Sequence, residues 1–281
     1  MCYGNREVRQ GLPGAKSGRD TVDCRRLTPG TFEVSRKRTS TPGPYLLHLE
    51  LLRERIPDAD RFPYTLPAVR ELSKLVFHPK VTFLVGENGS GKSTLLEAIA
   101  VACDLNPEGG SRNFNFATWA SHSSLMDCLR LARSQHRQDD SFFLRAETFY
   151  NVASEIERLG VGRNYGDVSL HEQSHGESFF SLFRHRFRDN GLYIMDEPEA
   201  ALSPQRQLEF LALLNDYVRR GGQFVIATHS PIIMAYPDAC IYKLDAAGIR
   251  EVRYEETEHY LVTHAFLNNR EKSLEVLMGN G

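Results

Sequence analysis

Short apolar runs alternate with amphipathic stretches along most of this chain. Lys80 to Val85, Leu192 to Met195 and Gln223 to Ala227 are apolar at nearly every position, the signature of buried strands. Tyr45 to Leu51 is also strand-like, Arg112 to Thr118 and Ser141 to Ala146 are further candidates, and Ile241 to Leu244 with Ile249 to Tyr254 predict a hairpin around Asp245 to Gly248. Helical spacing marks Leu95 to Cys103, Glu147 to Leu159, and Pro204 to Arg219, where Leu208, Leu211, Leu214 and Val218 share one face; His259 to Met278 reads as a terminal helical region. Pro63, Pro67 and Pro79 punctuate a loop-rich stretch. The pattern predicts a large α/β domain, or a domain plus a helical lobe, ordered from about Tyr45 onward.

Residues 1–43 lack this periodicity. They hold Gly11, Gly14, Gly18, Pro13, Pro29, Pro42 and Gly43 and the cluster Arg36-Lys37-Arg38, and they predict a disordered basic arm. A solvated tail is the favoured reading of that cluster over a nucleic-acid contact. Composition adds little: 41% hydrophobic and 25% charged residues with net charge -2 fit a soluble globular protein and argue against a general polyanion binder. Met1 to Arg9 is too polar for a secretory signal, and no run reaches the roughly 20 apolar residues of a membrane span, so direct membrane insertion is not expected. Five cysteines without a C-x-x-C pair suggest a reducing, cytoplasmic setting. His171 and His175 have helical spacing but no evident third ligand for a metal.

The candidate chemistry begins where the Lys80 to Val85 strand stops. Gly86-Glu87-Asn88-Gly89-Ser90-Gly91-Lys92-Ser93 satisfies G-x-x-x-x-G-K-[ST], with Thr94 and an apolar helix following. Glycines let the backbone fold back and point several amides at a polyphosphate, and the helix adds the positive end of its dipole. Lys92 supplies a point charge for the β- and γ-phosphates, and Ser93 a hydroxyl for Mg²⁺. Leu192 to Glu197 is the matching second element: a buried strand that releases two carboxylates at its carboxyl end. Asp196 is placed to hold Mg²⁺ and Glu197 to polarise a water. His229, just after the Gln223 to Ala227 strand, is a candidate γ-phosphate sensor.

In this order the pieces resemble the ABC ATPase superfamily. Gly86 to Ser93 is similar to its Walker A, Leu192 to Asp196 to its Walker B, Glu197 stands at the catalytic-glutamate position and His229 at the switch-histidine position. Gln173-Ser174-His175-Gly176-Glu177 looks like a diverged LSGGQ signature about 20 residues before Walker B. The resemblance implies an α/β P-loop NTPase fold, an ABC-type nucleotide-binding domain with a mixed central sheet over 44–281 and a helical lobe at about 119–190. It further implies ATP and Mg²⁺ as ligands and an ATP-dependent homodimer, with Ser174, Gly176 and Glu177 capping the nucleotide of the second subunit.

Departures narrow the resemblance. The stretch Ala200-Ala201-Leu202-Ser203 stands where transporter subunits carry SALD, and Asp196 to Pro204 looks more like the DEPEAxLxP of soluble ABC-like ATPases. Residues 80–270 resemble bacterial predicted ABC-type (AAA-domain) ATPases, through Glu108 to Phe114, Phe143 to Glu147, the His-Gly-Glu-Ser segment and Ala227 to Pro231. No clear Q-loop glutamine appears; Glu147 is the candidate substitute, as a metal ligand. Phe62, Tyr64 and Phe77 are candidates for adenine stacking, with core or loop packing the simpler role. The expected function is an ATPase driving an unidentified partner, DNA-related or defence; the alternatives are an ABC transporter's ATP-binding subunit and an ATP-gated binding module with negligible turnover. The basic run Arg184 to Arg188 fits either a nucleic-acid contact or a solvated helix face.

Overall fold

The computed structural model describes residues 44–111, 124–148 and 175–279, with Ser154 and Arg158. The described residues all fall within one compact unit, Arg38–Gly281. The buried runs build a six-stranded mixed sheet in the order β5-β6-β7-β3-β8-β9. Its strands are β3 (Val81–Val85), β5 (Asp140–Arg145), β6 (Gly191–Asp196), β7 (Gln223–Ala227), β8 (Ala239–Asp245) and β9 (Gly248–Val252). All neighbours are parallel except the hairpin β8–β9, whose tight turn forces antiparallel pairing.

Continuous apolar runs are needed because both faces of this sheet are covered. Val81, Phe83, Phe142, Leu144, Tyr193, Met195, Phe224 and Ile226 point into one core, while Leu84, Phe143, Leu192, Ile194, Val225 and Ala227 point into the other. The first core is dominated by aromatic rings from α3 (His175–Arg186) and α4 (Pro204–Arg219). Phe183 lies with ring centroids 5.0 Å from Phe179, 4.2 Å from Phe187 and 5.4 Å from Phe210; Phe187 stacks on Tyr193 at 4.0 Å. Ring pairs in these tilted and stacked arrangements add to plain area burial. The second core receives α2 (Lys92–Ala102) through Leu95, Leu96 and Ile99.

The proline-rich stretch holds more structure than its sequence suggests. Besides a single helical turn, α1 (Pro67–Arg70), it contains β2 (Lys74–Val76), which joins β1 (Leu46–Leu51) and β4 (Leu129–Arg133) in an antiparallel sheet ordered β2-β1-β4. Gln223, buried at the start of β7, fastens this sheet to the central one. Its side-chain oxygen accepts from the amides of Tyr45 and Leu46 at 2.8 and 2.9 Å, and its nitrogen donates to the carbonyls of Leu46 and His78 at 2.9 and 3.0 Å. All four hydrogen-bonding positions of the amide are thereby used.

Several expectations change. Leu208 is exposed at 39%, and the buried stripe of α4 is Phe210, Leu214, Tyr217 and Val218, because the aromatic core draws the two rings inward. Within 119–190 the expected strand at Ser141 to Ala146 is β5, and the stretch also supplies β4, one strand to each sheet. Arg112 to Thr118 lies outside the described residues, as does all of the predicted Glu147 to Leu159 helix except Glu147, Thr148 and two helical residues, Ser154 and Arg158. The basic run is also not a free stripe: Phe187 is buried, and Arg186 donates to Asp140 Oδ1 at 2.6 Å while lying over the Phe142 ring. The terminal region divides into α5 (Glu258–Asn268) and α6 (Arg270–Met278), neither of which buries a residue. No helix among the described residues is long and apolar enough to cross a membrane.

Gln223→Met keeps the volume but strands the buried amides of Tyr45 and Leu46. At about 1–3 kcal/mol for each orphaned donor, urea unfolding is expected to show a loss of about 3 kcal/mol. An unchanged midpoint would mean that the two sheets are held by apolar packing instead.

Candidate functional site

Strand order brings the candidate residues together. β7 lies between β3 and β6, so the carboxyl ends of these three strands open side by side, and this edge is where open α/β sheets bind ligands. Asp196 is in register with Ala227, and Leu84 with the same Ala227 on its other side. The chain leaves β3 through Gly86 at φ +151°, Gly89 at +77° and Gly91 at +97°, conformations that side chains resist. Gly86 also has no room: a Cβ there would stand 2.3 Å from the Leu244 carbonyl oxygen of β8. Gly91 caps α2 without a side-chain hydrogen bond, so the first amides of a long helix face the cleft.

Lys92 is buried, with 4% of its surface exposed. Its ammonium donates to the carbonyls of Gly86 and Glu87, both at 2.9 Å, which folds the loop around it. Burial holds its pKa below the ordinary lysine value, opposed by Glu197, Asp196 and Glu199. Ser93 Oγ donates to Asp196 Oδ1 at 3.1 Å. Burial pushes the Asp196 carboxyl up to about 6, against the pull of Arg145 and the Ser93 hydrogen bond. Ser93 and Asp196 thus present two oxygens at one point, the hard donors that Mg²⁺ prefers when phosphates complete its shell. Among the described residues no three His, Cys, Asp or Glu side chains converge into a self-sufficient metal cage.

Glu197 leaves β6 at φ +50°, a left-handed conformation that is costly for a non-glycine residue. The turn is held by its amide donating to the Ala227 carbonyl at 2.9 Å and aims the carboxylate across the cleft. Glu197 Oε1 lies 3.4 Å from His229 Nε2, a nitrogen that is buried and lacks an aligned hydrogen bond. Glu199 holds the same loop through one side chain and one amide: Thr228 Oγ1 donates to its Oε2 at 2.8 Å and the His229 amide to its Oε1 at 2.5 Å. His229 Nδ1 meets His259 Nε2 of α5 at 2.9 Å.

The remaining predicted residues fall as follows. Asn88 and Gly89 are exposed at the loop tip, Ser90 Oγ is buried without a hydrogen-bond partner, and Thr94 is half-buried on α2. Ser174 lies outside the described residues; Gly176 and Glu177 occupy the first turn of α3, where a Cβ on Gly176 would stand 3.4 Å from the Ala201 carbonyl oxygen. Glu147 is 80% exposed, and it is Arg145, in register with Asp196, that reaches inward: its guanidinium lies 3.6 Å from Asp196 Oδ2 and 3.0 Å from Glu97 Oε2. Tyr64 and Phe77 are core residues and Phe62 is 68% exposed. Sequence reading missed Arg145, Glu199 and His259. The first two sit within three residues of flagged positions, whereas nothing local marks His259.

Two predictions follow from this geometry. Gly86→Ala, which drives a methyl into the β8 backbone, is expected to cost about 2–3 kcal/mol of thermal stability and to weaken ATP binding in calorimetry; Gly89→Ala meets nothing within 4 Å and is expected to cost less. For Asp196, a folded-state pKa of about 6 against an ordinary 3.8 means that the buried charge costs stability above pH 6, a cost that disappears as pH falls toward 4. The stability of ligand-free Asp196→Asn relative to the natural chain should therefore rise by about 2–3 kcal/mol between pH 4 and 6 and then level off. A flat difference across that window would contradict it.

Comparison with known proteins agrees with this geometry. Residues 66–191 match a family model described as an AAA domain. The chain is 30% identical over 167 residues to the thiamine import ATP-binding protein ThiQ of Cereibacter sphaeroides, covering 53% of this chain and 70% of that protein. It is 28% identical over 159 residues to the cytochrome c biogenesis ATP-binding export protein CcmA of Rhodopseudomonas palustris (strain BisB5), covering 54% and 79%. Among solved structures, cbiO1 from Clostridium perfringens, part of the ABC transporter complex cbiONQ, superposes with TM-score 0.45 at 18% identity over 84% of this chain and 99% of that one. The SMC head domain from Thermotoga maritima gives 0.42 at 17% identity, over 74% and 99%. With a glycine loop around a buried lysine, paired acids on the adjoining strand and a relative at this level of identity, the chain belongs to the ABC-type P-loop ATPases.

Proposed function

We propose that this chain binds ATP with Mg²⁺ between Gly86 and Thr94, hydrolyses it, and serves as the ATP-binding subunit of a transport system whose membrane-spanning part is a separate protein. The observation that carries the reading is the Lys92 ammonium, buried and wrapped by the carbonyls of Gly86 and Glu87 at the mouth of a long helix. Such a charge is costly to bury, and a triphosphate tail is the partner that offsets the cost. The transport role rests on ThiQ and CcmA, each named as the ATP-binding protein of an import or export process. Neither name points to nucleic acid, and the partly buried Arg184 to Arg188 run adds nothing for it.

In this reading the amides of Gly86, Asn88, Gly89, Ser90 and Gly91 hold the β- and γ-phosphates with Lys92, and Thr94 borders the α-phosphate side. Ser93 and Asp196 would hold Mg²⁺, which when bound supplies charge neutralisation to the phosphate oxygens. Glu197 orients and polarises the attacking water, and His229 contacts the γ-phosphate through Nε2, the nitrogen that lacks a hydrogen-bond partner within the chain. Glu147, out on the rim, is at most an electrostatic neighbour of Asp196. Ser174, Gly176 and Glu177 act on the nucleotide of a second copy, which makes ATP the glue of a homodimer. Residues 44–281 form the ATPase domain on the cytoplasmic side, and 1–43 an appended arm.

The assay is phosphate release with Glu197→Gln. The variant is expected to retain ATP binding in calorimetry and to lose at least about 100-fold in turnover. Equal rates in variant and natural chain would overturn the catalytic assignment. Lys92→Ala should abolish the binding heat itself.

A further inference from the structure

The switch histidine is flanked by a second histidine that comes from a distant part of the chain. His259 lies one residue into α5, whose N-terminus is fixed beneath the switch loop. Thr257 is fully buried, its hydroxyl donates to the Tyr254 carbonyl at 2.7 Å, and it caps the helix by accepting from the Tyr260 amide. Tyr254 in turn donates its hydroxyl to the Pro231 carbonyl at 2.9 Å, two residues past His229, and packs against Tyr260 with centroids 4.8 Å apart. These contacts place His259 Nε2 2.9 Å from His229 Nδ1. On the other side of the same ring, Nε2 faces Glu197 Oε1 at 3.4 Å.

A carboxylate accepts and cannot donate, so the His229 nitrogen that faces Glu197 serves the site as an N–H. A neutral imidazole that carries its proton on Nε2 offers a lone pair at Nδ1. Something must donate to that lone pair, and the group within reach is His259. We propose that His259 is a positioning residue for ATP hydrolysis: its Nε2–H donates to His229 Nδ1, which fixes the tautomer of His229 with the Nε2 proton directed at Glu197 and the γ-phosphate. Burial, seconded by His229 and by the Lys92 charge, holds the pKa of His259 below the ordinary histidine value, so that it serves as a neutral donor rather than a second cation beside Lys92. Glu199 fixes the backbone of the loop while His259 fixes the ring, so the switch side chain has one orientation available before any nucleotide arrives.

This inference deepens the proposed ATPase reading and rests on it for its kinetic consequence, but its first test does not need turnover. Nitrogen-15 spectra of the ligand-free chain, with His229 assigned by comparison with His229→Ala, are expected to show His229 as the Nε2–H tautomer. In His259→Ala the two tautomers should mix, and in His259→Gln, whose amide nitrogen can still donate, the single tautomer should persist. In phosphate-release assays His259→Ala is expected to lower kcat about 10- to 100-fold with KM for ATP changed less than about threefold, and His259→Gln to recover most of kcat. An Nδ1–H tautomer in the natural chain, or an unmixed tautomer in His259→Ala, overturns the proposal. So does equal loss of kcat in the Ala and Gln variants, or none in either. If the natural chain turns over ATP no faster than Glu197→Gln, the ATPase assignment fails, and the spectra still decide whether His259 sets the ring.

Discussion

A buried ammonium close to the buried carboxylate of Asp196 sets the terms on which this site exists. Lys92 and Asp196 are both 4% exposed, and each alone would be expensive to remove from water. The carboxylates of Glu197, Asp196 and Glu199 favour the charge on Lys92, while Arg145 and the Ser93 hydroxyl favour the charge on Asp196, and strand order sets the carboxyl ends of β3, β7 and β6 side by side. The balance is incomplete. Lysine is driven toward its neutral form and Asp196 toward its protonated one, so the ligand-free site carries an electrostatic debt that a magnesium-bound triphosphate would settle. The left-handed Glu197, and Ser90 Oγ, Arg145 Nε and His229 Nε2, which are buried without a hydrogen bond, are further signs of an arrangement completed by something outside the chain.

What supports this edge is unusually aromatic on one side and polar at one point on the other. Six rings, Phe179, Phe183, Phe187, Phe210, Tyr193 and Tyr217, give the α3–α4 face a stiff, tightly packed floor. At the amino end of β7, Gln223 ties the small sheet to the strand that ends in the Thr228–His229 loop. The same five-residue strand therefore carries a structural clamp at one end and a candidate chemical sensor at the other.

Much of this was legible in the sequence, and the reasons differ by element. Buried parallel strands declare themselves because both faces are covered, so Val81 to Val85, Gly191 to Asp196 and Gln223 to Ala227 allow few polar residues. The glycine loop is legible because its backbone tolerates no substitute at Gly86. β2 and β4 were missed because Lys74–Val76 is three residues long and Leu129–Arg133 alternates leucine with arginine and alanine, a pattern that half-exposed strands share with helices. The stripe on α4 was rotated because counting leucines ignored the pull of an aromatic core. Arg145, Glu199 and His259 escaped for a deeper reason: what matters in each is a neighbour that only the fold supplies. His259 stands 30 residues from the ring it touches.

The contact of Gly86 with β8 carries a mechanical corollary. A Cβ at the start of the phosphate loop would collide with the Leu244 carbonyl, and at the turn of the hairpin that continues from Leu244 a Cβ on Gly248 would strike the Glu71 side chain at 2.7 Å. Neither position has space for even one added carbon, so the same hairpin sets a size limit on the chain at both of its ends.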